Sequence, residues 1–181
     1  MQVEETNLKG CFVITPEVYA DSRGYFMESF NQEKFNKAIN NQTTFVQDNE
    51  SKSSKGVLRG LHFQKGENAQ AKLVRVTQGS VLDVCVDLRE ESPTFGSYFS
   101  IVLNAIQKKQ LFVPRGFAHG FLVLENNTVF NYKCDNYYNK AAEGGIIYND
   151  KTLNIDWNFP EEALIFSNKD LKLPTFETLF K

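Results

Sequence analysis

Ala71-Lys72-Leu73-Val74-Arg75-Val76-Thr77-Gln78-Gly79-Ser80-Val81-Leu82-Asp83-Val84-Cys85-Val86-Asp87-Leu88 holds two runs rich in β-branched residues, Ala71 to Val76 and Ser80 to Leu88, with a glycine between them. Such runs, bounded by turn formers, read as consecutive short strands. The same pattern continues at Tyr98 to Leu103, Leu111 to Pro114, Gly120 to Leu124 and Thr128 to Tyr132. Strands spaced by roughly ten residues and joined by turns imply a sandwich or barrel, of which a jelly roll is one form. A helix is expected over 31–40, where Asn31 can cap the first turn and Phe35 and Ile39 share a face at i,i+4 spacing. The fold class is therefore all-β with a few short helices, and such a barrel can hold a ligand inside.

The chain has 181 residues, a length suited to one domain spanning 1–181 with a core large enough to need neither disulfide nor metal. Hydrophobic residues make up 41% of it and Phe alone occurs 16 times, so the core should be aromatic-rich. A net charge of -2 gives no general attraction to nucleic acid or to a membrane surface. Any bound anion must be held by a local group of Lys and Arg. Cys11, Cys85 and Cys134 are odd in number and lack paired spacing, so they read as reduced and the protein as cytoplasmic. Met1 through Lys9 lacks a basic stretch followed by an apolar run, and no segment has the length of a membrane span.

The chain has two histidines, each bracketed by glycines: His62 in Gly56-Val57-Leu58-Arg59-Gly60-Leu61-His62-Phe63-Gln64 and His119 in Val113-Pro114-Arg115-Gly116-Phe117-Ala118-His119-Gly120-Phe121. Taken locally, a strand histidine is more often a hydrogen-bonded structural side chain than a base. Strict alternation puts Leu58, Gly60, His62 and Gln64 on one face and Arg59 on the other, and a bulge near Gly60 would bring Arg59 and His62 together. Lys72 shares a face with Val74 and Val76, so it either meets an anion inside the barrel or snorkels from a strand end. Phe130, Tyr132 and Cys134 share a face, which makes Tyr132 a core side chain or a hydroxyl aimed into a pocket. Neither histidine has an i,i+2 partner, so a clustered-His metal site is not expected. Glu143-Gly144-Gly145 lacks the spacing and the Lys of a P-loop, which leaves any phosphate to Arg and Lys side chains.

Several ordered segments together resemble the dTDP-4-dehydrorhamnose 3,5-epimerase family. They are Phe45 to Ser51, Gly56 to Gln64, Ala71 to Val76, Asp83 to Arg89, Ser92 to Gly96, Val113 to Phe121, Tyr132-Lys133, Asn149-Asp150 and Ser167 to Asp170. The resemblance covers nearly the whole chain. It implies a cupin-type jelly-roll barrel, usually a homodimer, that works without a cofactor on a dTDP-linked keto-sugar. It also implies a catalytic set of His62 as general base, Asp170 hydrogen-bonded behind it, Tyr132 as the acid on the opposite face and Lys72 beside the enolate oxygen. Arg59, Arg23 and His119 correspond to contacts with diphosphate and sugar, and Lys169 joins that binding set. Asp21 to Ser29 and Asn136 to Tyr138 resemble the base-recognition part of the family, with Phe26 and Tyr138 stacking on the base. Glu28, Gln47, Asn49 and Glu143 would hydrogen-bond nucleoside and sugar. In the family the first of these segments reaches the site from the neighbouring subunit, so each site would be shared between two copies.

The implied reaction is epimerisation of dTDP-4-dehydro-6-deoxy-D-glucose at C3 and C5 to dTDP-4-dehydro-L-rhamnose, in dTDP-L-rhamnose biosynthesis. The chain departs from the pattern at Glu50, where the family often has His, at Phe63 for Tyr, at Tyr148 for Trp and at Asn139-Lys140-Ala141-Ala142. None of these replaces a catalytic group, but the loop after Tyr138 bears on how Tyr132 is aimed. The alternatives are a C3-only epimerase or 3,4-ketoisomerase on the same barrel, and a non-catalytic sugar-binding cupin.

Overall fold

In the computed structural model, which describes residues 1–180, two antiparallel sheets face each other across an aromatic and aliphatic interior. Numbered in chain order, the six-stranded sheet runs β1 (Gln2–Glu5), β2 (Phe12–Thr15), β10 (Gln110–Val113), β7 (Lys72–Gln78), β12 (Thr128–Cys134) and β5 (Gln47–Ser53). The five-stranded sheet runs β13 (Glu143–Gly145), β6 (Leu58–Gln64), β11 (Phe117–Val123), β8 (Ser80–Asp87) and β9 (Tyr98–Asn104). A separate hairpin pairs β3 (Val18–Asp21) with β4 (Gly24–Met27). This is the expected jelly-roll barrel, and each apolar run of the sequence falls within or across one of its strands.

Alternation divides the strands' apolar residues among three clusters. Val74, Val76, Leu111, Val113, Phe121 and Phe130 point between the sheets. The outer face of the six-stranded sheet, through Leu73 and Phe112, is covered by Phe35 and Ile39 of α1 (Gln32–Ile39). That helix begins as its sequence dictates: the Asn31 side chain accepts from the Lys34 N–H at 3.1 Å, and Asn40 ends it in the left-handed conformation. The outer face of the five-stranded sheet, through Leu58, Val84 and Val86, is covered by the C-terminal segment with Ile146, Trp157 and Phe176. The apolar parts of both outer faces are thus covered by other elements, while the outer face of β5 and β12 carries Asp48, Glu50 and Lys133, so the space between the sheets is where the apolar barrel can open to a ligand.

β5 differs from the rest. Its sequence, Gln-Asp-Asn-Glu-Ser-Lys-Ser, carries no apolar residue, and its strand character comes wholly from pairing with β12, with Asn49 opposite Tyr132 and Ser51 opposite Phe130. Directly opposed residues share a face, so Gln47, Asn49 and Ser51 present polar groups on the face where β12 presents Tyr132 and Phe130.

Candidate active site

At one point the two glycine-bracketed histidine segments cross. β6 and β11 pair with His119 opposite His62 and Phe121 opposite Arg59, so β6 spends one more residue than β11 between those pairs. This is the bulge expected near Gly60. Gly60 takes φ +120°, and a Cβ there would lie 2.6 Å from Gly120 Cα, while a Cβ on Gly120 would lie 2.7 Å from the Arg59 carbonyl oxygen. Two backbones in such contact admit only glycine at both places. The bulge turns Arg59 onto the His62 side, and both line one cleft of about 580 Å³.

The His62 ring is held by a carboxylate. Its Nε2 lies 2.6 Å from Asp170 Oδ1, and Asp170, in a short helical turn (Asp170–Lys172), is 4% exposed. With Nε2 occupied, Nδ1 is the nitrogen left to exchange a proton with a ligand. Burial pushes the Asp170 carboxyl up, but the hydrogen bond and charge of His62, with help from Ser167 and Lys169, bring it below its ordinary value. Asp170 therefore stays ionised at neutral pH and favours the imidazolium that proton capture creates.

Across the cleft the six-stranded sheet supplies Tyr132 from β12 and Lys72 from β7, whose Cα partner is Cys134. His62 and Tyr132 thus come from opposing sheets. Burial raises the Tyr132 hydroxyl above its ordinary range, so it is protonated at neutral pH and able to donate. Lys72 is pushed down by burial, partly offset by Cys134 and Asp83, and its side-chain amine makes no hydrogen bond or ion pair with any described residue. A lysine amine with no partner beside Phe130 and Tyr132 can take an anionic oxygen in the cleft as its partner.

Asn49, Arg59, His119 and Lys169 line the same cleft. Arg59 donates to Ser53 Oγ from Nε and Nη2 at 3.3 and 3.1 Å, and His119 Nε2 lies 3.0 Å from both carboxylate oxygens of Asp83. An adjoining pocket, bordered again by His62, Lys72 and Tyr132, adds Gln47, Tyr138 and Glu143. Tyr138 Oη donates to Glu143 at 3.1 Å, Lys169 pairs with the same carboxylate, and the Tyr138 N–H donates to Gln47 Oε1 at 3.2 Å. Three expected residues stand apart within one chain. Arg23 is paired with Asp21 at 2.6 Å, Glu28 with Lys34 at 2.8 Å, and Phe26 is 68% exposed on the β3–β4 hairpin. None of them lines the His62 cleft.

The geometry also brings in groups that sequence reasoning left out. Ser51 Oγ lines the cleft buried and without a partner, Ser53 holds Arg59, and Asp83 lies under His119 with no exposed surface. Asp83 carried a readable signal, a carboxylate within the apolar run of 80–88. The serines carried none. Among the described residues no three His, Cys, Asp or Glu side chains are grouped to hold a metal ion, and no helix is long and apolar enough to cross a membrane.

The chain as a whole has counterparts among known proteins. A family model described as dTDP-4-dehydrorhamnose 3,5-epimerase matches residues 5–178. The chain belongs to the dTDP-4-dehydrorhamnose 3,5-epimerase family. It is 49% identical over 177 residues to the dTDP-4-dehydrorhamnose 3,5-epimerase of Salmonella typhimurium, covering 98% of this chain and 96% of that one. Among solved structures, the epimerase of Elizabethkingia anophelis superposes with a TM-score of 0.95 at 54% identity, covering 98% of this chain and 97% of the other. The Legionella pneumophila dTDP-6-deoxy-D-glucose-3,5-epimerase, solved in complex with dTDP-4-keto-L-rhamnose, superposes with a TM-score of 0.94 at 42% identity, covering 99% and 94% of the two chains. The chain is an isomerase of this epimerase family.

Proposed function

We propose that this epimerase inverts C3 and C5 of dTDP-4-dehydro-6-deoxy-D-glucose to give dTDP-4-dehydro-L-rhamnose, in dTDP-L-rhamnose biosynthesis. The single observation that carries the mechanism is the placement of His62, backed by Asp170 at 2.6 Å, on one sheet and Tyr132 on the sheet facing it. The C4 ketone acidifies the hydrogens on both flanking carbons. His62 Nδ1 removes one such proton, the electron pair moves into the ring as an enolate on the C4 oxygen, and Lys72 stabilises that oxygen. Tyr132 then returns a proton to the same carbon from the opposite face, which inverts it. His62 then gives its proton up to solvent and Tyr132 takes one back, which restores base and acid, and a second round at the other flanking carbon completes the reaction with no net change in atoms or electrons.

Arg59 and Lys169 would hold the diphosphate and His119 the sugar, with Gln47, Asn49, Tyr138 and Glu143 around the nucleoside. Arg23, Phe26 and Glu28 would enter from a second copy of the chain, a reading supported by their lying outside the lining of their own chain's cleft and by the exposure of Phe26 on the β3–β4 hairpin. The working form would then be a cytoplasmic homodimer with shared sites, each chain folding as one domain. Replacing His62 by Ala tests the mechanism. Turnover should fall by at least about 10³-fold while dTDP affinity, measured by calorimetry, stays within about threefold. Full turnover in His62→Ala would overturn it.

A further inference from the structure

Asp83 has a peculiar position for a charged residue. It sits on β8 in the five-stranded sheet, opposite Phe121, with Val81 and Cys85 on the same face, and none of its surface is exposed. Its hydrogen bonding among the described residues comes from one donor: His119 Nε2 lies 3.0 Å from each of its oxygens. His119 is itself 6% exposed and lies over the Phe130 ring, with 6.2 Å between centroids and 24° between planes. A carboxylate buried in a barrel interior on a single shared donor is costly, and an apolar residue of similar size would serve packing better. Such a placement points to a role beyond stability.

We infer that Asp83 is a positioning residue for the sugar end of the site, fixing the His119 ring so that Nε2 carries its proton and Nδ1 is presented to the substrate. This rests on the proposed function, in which His119 contacts the sugar. The chemistry follows from the inventory of the two groups. Both carboxylate oxygens lie at the same 3.0 Å from Nε2, the geometry of one N–H shared between two acceptors, so Nε2 carries the proton. With Nε2 committed and the ring held over Phe130, the ring has no other partner among the described residues and only Nδ1 is available to the cleft. The same negative charge lies close enough to Lys72 to favour its ammonium form. The barrel thus holds two histidine–carboxylate pairs on adjacent strands: one aims a base and the other aims a binding group.

The test uses Asp83→Asn, His119→Ala and the double variant in the full chain, with turnover of the dTDP-linked 4-keto-sugar and affinity for dTDP as separate readouts. Asp83→Asn and His119→Ala should each lower kcat/KM by about 10- to 100-fold, the double variant should be no more than about threefold worse than His119→Ala, and dTDP affinity should hardly change. Losses that multiply in the double variant, or wild-type kcat/KM in Asp83→Asn, would overturn the inference. So would a parallel loss of dTDP affinity, which marks a merely structural role. Should Asp83→Asn not fold, nitrogen NMR of the wild-type protein decides. A protonated His119 Nε2, with Nδ1 shifting on addition of dTDP-glucose but not of dTDP, supports the assignment, and a bare Nε2 or an unmoved Nδ1 refutes it. Wild-type protein that fails to turn over the keto-sugar would sink the functional reading and this inference with it, whereas active wild type with an indifferent Asp83→Asn sinks the inference alone.

Discussion

Asp170→Asn removes a charge without changing shape, so its effect isolates what the carboxylate contributes to His62. The 2.6 Å contact is a charge-assisted hydrogen bond to a side chain with 4% exposure. Bonds to a charged partner contribute about 1.5–3 kcal/mol, and here that contribution grows as the neutral imidazole becomes imidazolium. At about 1.4 kcal/mol per tenfold, kcat should fall by roughly 10- to 150-fold from this alone. The asparagine amide can also donate to Nε2, which moves the ring proton onto Nδ1 and blocks the basic nitrogen; a wrong-tautomer loss of this kind reaches about 10⁴-fold in serine proteases. The expected result is a kcat lower by about 10²-fold or more with KM within about threefold, because Asp170 stands behind the ring. Steady-state kinetics with a coupled reductase measures both. A kcat within threefold of wild type would refute the claim that Asp170 supports the base.

Three further outcomes follow from particular contacts. Lys72→Met should lower kcat by about 10²- to 10³-fold with little change in dTDP affinity, since it removes the cation at the developing enolate and not a nucleotide contact. Gly60→Ala should destabilise the chain by about 3 kcal/mol in urea unfolding, because it combines a positive φ with a Cβ 2.6 Å from Gly120 Cα. Asp87 is pushed up by burial but overcome by Arg89, Ser92 and Thr94, which bring its carboxyl from 3.8 to about 2. Its stabilisation is therefore complete above pH 3.8 and lost as pH falls through about 2. Asp87→Asn should cost about 2 kcal/mol at neutral pH, with the gap to wild type closing as the pH of the unfolding experiment approaches 2.

What the sequence disclosed followed physical rules of pattern. The β-branched runs from 71 to 88 and from 111 to 132 announced strands because their neighbours on both faces are apolar, and Asn31 announced α1 through its capping side chain. The bulge could be read at Gly60 because only a bulge places Arg59 and His62 on one side. β5 was hidden for the opposite reason: its inward face lines the cleft mouth, so Gln47, Asn49 and Ser51 carry no hydrophobic period and resemble a loop. The three-residue β13 was equally silent because its partner β6 lies far along the chain, and the β3–β4 hairpin because its four-residue strands are exposed and show no alternation of buried and exposed positions. Within the site, His62, Arg59, Lys72 and Tyr132 could be suspected from face and glycine context. The pairing of His62 with Asp170, 108 positions away in the chain, has no local signature, and only the family resemblance pointed to it.

The most direct test of the account is to run the reaction on dTDP-4-dehydro-6-deoxy-D-glucose in deuterated water and to count label at each sugar carbon by NMR. Removal of a proton on one side and return of a solvent-derived one on the other predicts deuterium at both C3 and C5 of the product, with both centres inverted. Label at one carbon alone, or none at either, would contradict it.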